Sequence, residues 1–235
     1  MTLAPLVADA SGDAIKAALD QVASLRLRHV QIAATMSGLR PRDLDRTARR
    51  DLLAALRRRE LSLSGLDAWI PSEHFADSSL ADRAVGATVE IIALAADLGR
   101  VPVSLVMPAS SEAAAAISEA ALHAGVSLAD HAIDAPPREG MGVGIDPAAH
   151  LSHNKDPVAA VHAASRRLVA ARLVDLLRSG LRGPIGSSHE GRLNVQEYRI
   201  ALSVNEHQRP VIIDARQWSD PQRGIEQSIR AWNNV

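Results

Sequence analysis

The chain contains no cysteine, which excludes disulfides, thiolate zinc sites and a cysteine nucleophile; any metal would have to rest on His and carboxylates. Aromatic residues make up only 2% of it: three Trp, one Tyr and one Phe among 235 residues. Few stacking platforms for single-stranded nucleic acid are therefore present, Leu, Val, Ile and Ala carry the packing, and each tryptophan is worth locating. Positive charge is also not in excess, with 26 Lys and Arg against 27 Asp and Glu and a formal net charge of -1. General attraction to nucleic acid or an anionic membrane rests on accumulated Lys and Arg, so function has to come from a local site. No run approaches the roughly 18 apolar residues of a membrane span. The stretch "MTLAPLVADA" lacks the basic start and long apolar centre of a signal peptide, which makes the cytoplasm the expected setting.

What is present is a regular alternation of short apolar runs with longer amphipathic ones, the βα pattern. "LAPLVA" reads as a first strand and "SGDAIKAALDQVASL" as a helix opened by a Ser cap, with Ile15, Leu19 and Val22 on one face. The second strand is "RHVQIAA", followed by the helix "RPRDLDRTARRDLLAALRRRE". The third is "LSLSGLDAWI", ending near Trp69, and "SLADRAVGATVEIIALAADLG" is a helix stopped by Gly99. "VPVSLVM" is the fourth strand, and "SSEAAAAISEAALHAG" a helix capped by Ser and Gly. "GVSLADHAID" and "MGVGI" are the fifth and sixth strands, with the helix "DPVAAVHAAS" next. "RLVAARLVDLL", "NVQEYRIALSV", "RPVIIDARQW" and "PQRGIEQSIRAW" complete the series as strand, helix, strand and helix.

Eight βα units in 235 residues lie near the roughly 250 residues of a (β/α)8 TIM barrel, so residues 1–235 are expected to form one such domain. An open doubly wound sheet usually carries a Gly-rich turn after its first strand, and here that turn is only "ADASGD". In a barrel the active site forms at the C-terminal ends of the strands, and side chains alternate faces along each strand. With Val126 and Leu128 facing the helices, Ser127, Ala129 and His131 turn inward; Asp130 lies on the other face and Asp134 in the loop. The same parity turns Asp146 inward after "GVGI" and Asp214 and Arg216 inward in the eighth strand; the seventh strand is less decisive, but Arg172 can share the inward face with Ala170. The second strand offers His29 and Gln31. Polar groups from several strands thus converge on one mouth, with Gln31, Trp69, His131, Asp146, Arg172 and Asp214 around it.

The order of these strands, with "GVGIDPAAHL" followed by "KDP", the helix start "EGRLNVQEYRIAL" and "RPVIIDARQW", resembles the xylose-isomerase-like TIM barrels, the sugar phosphate isomerase/epimerase superfamily, over essentially the whole chain. Metal-dependent members hold a divalent ion with Glu, Asp, His and Glu after the fifth to eighth strands. Carried onto this chain, those positions fall on His131, Asp146, Arg172 and Asp214, so only Asp146 is retained. A guanidinium has no free lone pair and stays protonated, so Arg172 cannot be a ligand. It is suited to pairing with Asp146 or Asp214, or to gripping an anionic substrate. No cofactor is expected; if Mn, Co, Zn or Mg were bound, His131, Asp146 and Asp214 would hold it.

The resemblance implies a sugar or sugar-phosphate isomerase/epimerase-like protein with a degenerate metal site. His131, Asp146 and Asp214 would be the catalytic residues, and Gln31, Trp69, His74, Arg172 and Arg216 the substrate contacts. The imidazole of His131, with an ordinary pKa of about 6.5, suits proton transfer. Trp69 could give a sugar ring an apolar wall. The alternative is a non-catalytic descendant that binds a carbohydrate or a partner, its carboxylates tied up by arginines. Asp146 before Pro147 also fits an N-cap, and His150 and His153 in "HLSHN" read as surface histidines in a loop. The Gly-rich "GLRGPIGSSHEGRLN" follows the seventh strand, where barrels often hold phosphate, and reads equally as a surface loop. The arginine-dense second helix carries Asp43, Asp45 and Asp51 among its cations, the mark of a solvated face.

Overall fold

Among the described residues seven parallel strands run in sequence order around a nearly closed α/β TIM barrel: β1 (His29–Ala33), β2 (Ser62–Asp67), β3 (Val103–Leu105), β4 (Leu128–Asp130), β5 (Gly142–Ile145), β6 (Leu168–Leu173) and, after a hairpin, β9 (Ile212–Ile213). The computed structural model describes residues 1–2, 11–133, 138, 140–187 and 189–235. The expected first strand at 3–8 lies outside the described residues. Its neighbours show where the barrel shuts: Thr2 bridges in parallel to Gln31, its amide donates to the Ile213 carbonyl at 2.9 Å, and the Gln31 amide donates to the Met1 carbonyl at 2.7 Å. Residues 1–2 therefore span the gap between β9 and β1.

The helices around the barrel are α1 (Gly12–Ser24), α2 (Arg46–Arg58), α3 (Ser72–Ala76), α4 (Ala81–Asp97), α5 (Ser111–Ala124), α6 (Pro147–Ser152), α7 (Pro157–Ala164), α8 (Val195–Val204) and α9 (Pro221–Asn233). Their starts follow the capping residues in the sequence. Ser11 Oγ accepts from the Ala14 amide, Ser110 Oγ from Ala113 and Asn194 Oδ1 from Glu197, each satisfying an amide that the first turn leaves unpaired. Gly125 ends α5 with φ of 64°, a left-handed conformation that costs glycine little. One face of each longer helix is buried on the barrel, as with Ile15, Ala18, Leu19 and Val22 of α1 or Ile91, Ile92, Leu94 and Ala95 of α4. Each such Ile or Leu contributes about 1.5–3 kcal/mol by leaving water.

Two local expectations are corrected. The "HLSHN" segment is not a loop: Pro147 begins α6, and His150 is buried with Nδ1 2.9 Å from the Asp146 carbonyl, whereas His153 is exposed. The seventh predicted strand stops at Leu173. Asp175–Leu176 (β7) then pairs antiparallel with Arg182–Gly183 (β8), so part of the Gly-rich stretch is a hairpin. As the sequence reads, β4 passes to β5 with no helix among the described residues between them. Among the described residues no helix is long and apolar enough to cross a membrane.

Candidate functional site

The C-terminal ends of the strands deliver charged side chains to one place. Asp67 is the last residue of β2, Asp146 follows β5, Arg172 lies near the end of β6 and Asp214 follows β9. All four are buried, Asp214 completely. Arg182, on β8 of the hairpin, and Arg216, two residues beyond Asp214, reach into the same cluster. Three aspartates thus meet three arginines.

Arg172 is central. Its Nη1 donates to Asp146 Oδ2 at 3.1 Å and lies 3.5 Å from Asp214 Oδ2, while its Nη2 donates to Asp67 Oδ2 at 3.1 Å. Arg182 grips Asp146 through both Nη atoms, at 3.2 and 3.0 Å, and places Nη2 3.0 Å from Asp214 Oδ2. Arg216 holds Asp214 in a second fork, Nε and Nη2 each at 2.7 Å. Paired N–H donors matching both oxygens of one carboxylate are the strongest geometry such groups adopt. Arg216 Nη1 is 2.9 Å from Asp67 Oδ2, close enough to pair in charge but not aimed for a hydrogen bond. Asp146 does two jobs, because its Oδ1 also accepts from the Ala149 amide as the N-cap of α6. The cap and the ion pairs use the same carboxylate.

These contacts set the protonation states. Burial alone would push Asp146 up, but the charges of Arg182 and Arg172 outweigh it and hold the carboxyl well below its ordinary range. Asp214 is lowered in the same way: burial opposes ionisation, and the Arg216 hydrogen bonds with the charges of Arg172, Arg216 and Arg182 prevail. Burial would likewise lower Arg172, yet Asp67, Asp214 and Asp146 raise it further above its ordinary value. Asp146, Asp214 and Arg172 are therefore each held in the charged form.

His131, directly after β4, stands over Gly144 of β5. A Cβ on that glycine would come within 2.3 Å of His131 Nε2, so the imidazole takes the space that a side chain would need. The ring is buried, and neither nitrogen has a hydrogen-bond partner among the described residues. Burial, with the charges of Arg172 and Arg216, lowers its pKa well below the ordinary imidazole value, the counter-pull of Asp146 and Asp214 being smaller. It is neutral at pH 7. Trp69, two residues past Asp67, lies against the Arg216 guanidinium, whose Cζ is 3.7 Å from the ring centroid, and is still 43% exposed. A cavity of about 450 Å³ opens over these groups, bordered by Asp67, Trp69, His131, Asp146, Arg172 and Arg182 among others. That volume is within the range of small-molecule sites, about 300–1,000 Å³.

Of the residues singled out in the sequence, His131, Asp146, Arg172, Asp214, Arg216 and Trp69 are brought together. Gln31 is not at the rim: it lies in the middle of β1, inside the barrel, where Nε2 donates to Ser104 Oγ at 3.2 Å. His74 is exposed on α3 and does not border the cavity, although its neighbours Ser72 and Glu73 do. His29 is exposed at the start of β1, the opposite end from the site. Asp130 faces away from the barrel interior and accepts from the Met107 and Ala132 amides. Asp134 lies outside the described residues. Asp67 and Arg182 were missed. Asp67 had a signal, since it ends "LSLSGLD" in the parity that points inward; Arg182 had none, because hairpin geometry brings it back over the mouth.

The residues do not fit a divalent ion. The carboxylate oxygens that would bind one are taken up by guanidinium groups, and a cation among them would sit beside three fixed positive charges. Among the described residues no group of three or more His, Asp or Glu is arranged to hold a metal.

No protein-family model and no curated protein matches the chain by sequence. The fold is a TIM barrel shared with solved structures described as a xylose isomerase domain protein and as sugar epimerases. An L-ribulose 3-epimerase superposes with a TM-score of 0.74 at 17% identity, covering 100% of this chain and 92% of its own. The D-psicose 3-epimerase of Clostridium cellulolyticum H10, solved with D-tagatose, gives 0.75 at 14%, covering 100% and 98%. A xylose isomerase domain protein from Planctomyces limnophilus gives 0.71 at 16%, covering 92% and 90%. At these identities the likeness establishes the fold.

Proposed function

We propose that this protein binds a carbohydrate at the barrel mouth without a divalent ion, as a sugar isomerase/epimerase-type barrel whose metal site is replaced by an arginine–aspartate cluster. The observation that carries this reading is Arg172, seated among Asp67, Asp146 and Asp214 with its charge fully shared. Removing a proton from carbon beside a carbonyl needs a base with a pKa near the working pH. Asp146 and Asp214 are held below their ordinary range and His131 well below its own, so each is a weak base. Binding is thus supported better than epimerisation. A solved D-allulose 3-epimerase with the same fold, TM-score 0.72 at 15% identity, holds D-allulose. The even charge balance of the chain supports a small-molecule ligand rather than nucleic acid or a membrane surface. Calorimetric titration with a panel of ketoses and aldoses, on protein whose metal content is measured in parallel, tests the reading. Saturable sugar binding by metal-free protein is expected; binding that requires stoichiometric Mn, Co, Zn or Mg would reject it.

A second reading is favoured by one specific observation. Both nitrogens of buried His131 lack partners among the described residues and the ring borders the cavity. In this reading the protein is a metal-free isomerase in which His131 carries a proton between adjacent sugar carbons, and Arg172 and Arg216 stabilise the oxyanion that develops. Deuterium uptake from D2O into a bound ketose, followed by NMR, separates the two: uptake supports catalysis, and its absence with intact binding supports the binding protein.

A further inference from the structure

We infer that the site selects an uncharged polyhydroxylated ligand and discriminates against phosphorylated and carboxylated sugars. The inference rests on the carbohydrate-binding reading and deepens it. Its basis is the distribution of charge at the mouth. Arg172, Arg182 and Arg216 are matched by Asp67, Asp146 and Asp214, and Glu73 on the cavity border adds a further acid, so no guanidinium there lacks a carboxylate. The residues outside the described set contain no Lys, Arg or His, so none of them supplies a missing cation. An anionic group entering the cavity would have to draw an arginine off a buried aspartate, leaving that carboxylate unpaired, which is among the costly events inside a protein.

The groups left unsatisfied are of another kind. Among the described residues Arg172 Nε, Arg182 Nε and Arg216 Nη1 each carry a buried N–H with no acceptor, and the neutral His131 ring presents one donor and one acceptor. Hydroxyl groups, which both donate and accept, match that set. Trp69 has Arg216 against its ring yet remains 43% exposed beside the cavity, which offers apolar surface to the C–H face of a sugar.

The test is titration calorimetry of the wild-type protein with D-fructose, D-tagatose and D-allulose, each against its 6-phosphate, at low and high NaCl. The uncharged sugars are expected to bind about tenfold or more tightly than their phosphates, with affinity insensitive to salt. Phosphates that bind equally well or better, with affinity falling as salt rises, would overturn the inference and leave the carbohydrate-binding reading standing. Failure of every sugar and phosphate to bind would overturn both. The variant Asp67→Asn provides an independent arm, because it frees one guanidinium charge while keeping an acceptor. Its affinity for the phosphates should rise about fivefold or more over wild type; a folded variant with unchanged phosphate affinity would refute the argument from charge balance.

Discussion

Replacing Arg172 with Met keeps an unbranched side chain of comparable length and removes the charge at the centre of the cluster. Two arginines would then face three buried aspartates. Asp146 keeps the fork of Arg182 and Asp214 that of Arg216, but Asp67 loses its one hydrogen-bonded guanidinium and retains only the Arg216 charge contact at 2.9 Å. Removing one partner from a buried pair costs about 3–5 kcal/mol; the remaining arginines place this case near the lower end, about 3 kcal/mol. For a chain of this size that lowers the melting temperature by roughly 6–12 °C. Equilibrium urea unfolding alongside thermal melts of wild type and Arg172→Met measures it. The second variant, Asp67→Asn, should be costly alone but should recover about 1–2 kcal/mol when combined with Arg172→Met, because it restores the balance of charge. A melting temperature lowered by less than about 2 °C, or strictly additive effects in the double variant, would refute the view that Arg172 neutralises these carboxylates.

Gly144→Ala should cost about 1–3 kcal/mol, because its methyl would lie where the His131 ring stands; in a His131→Ala background the same change should be nearly silent, and equal costs in both would exclude the contact. His131 is held neutral by a pKa well below its unfolded value, so between those two values the unfolded chain binds more protons and stability rises with pH. His131→Leu should therefore gain on wild type as pH falls from 7.5 to 5, whereas parallel curves in urea unfolding would show that the imidazole is solvated. Asp146 is also lowered, and its contribution is complete above its unfolded value of about 3.9 and lost as pH falls through the folded one. Asp146→Asn should accordingly be less stable than wild type at pH 7 and converge on it in acid; an unchanging gap would count against the ion pairs.

The barrel was legible because its signals are periodic and local. Short apolar runs alternate with helices whose Ser and Asn caps precede apolar faces, and strand parity alone brings His131, Asp146 and Asp214 to one end. Where signals were brief or tertiary, reading failed. Pro147 begins a helix of barely two turns, too short for periodicity to separate it from a loop around His150 and His153. Gln31 shares the inward parity of the site but not its height in the barrel, which parity does not encode. Arg182 belongs to a hairpin folded back across the mouth, and nothing in "GLRGPIG" marks which side chain will reach Asp146 and Asp214. The resemblance put Arg172 beside Asp146 and Asp214 but did not show that Arg182 and Arg216 pair with the same carboxylates.

In the proposed reading, arginine takes the place of a metal at this barrel's mouth. Anomalous X-ray diffraction from crystals grown in millimolar Mn²⁺ tests it most directly. Continuous density is expected from the Arg172 guanidinium to Asp67 and Asp146, with no anomalous peak among the three aspartates. A strong peak within about 2.0–2.6 Å of the Asp146 and Asp214 oxygens, with Arg172 turned away, would contradict it.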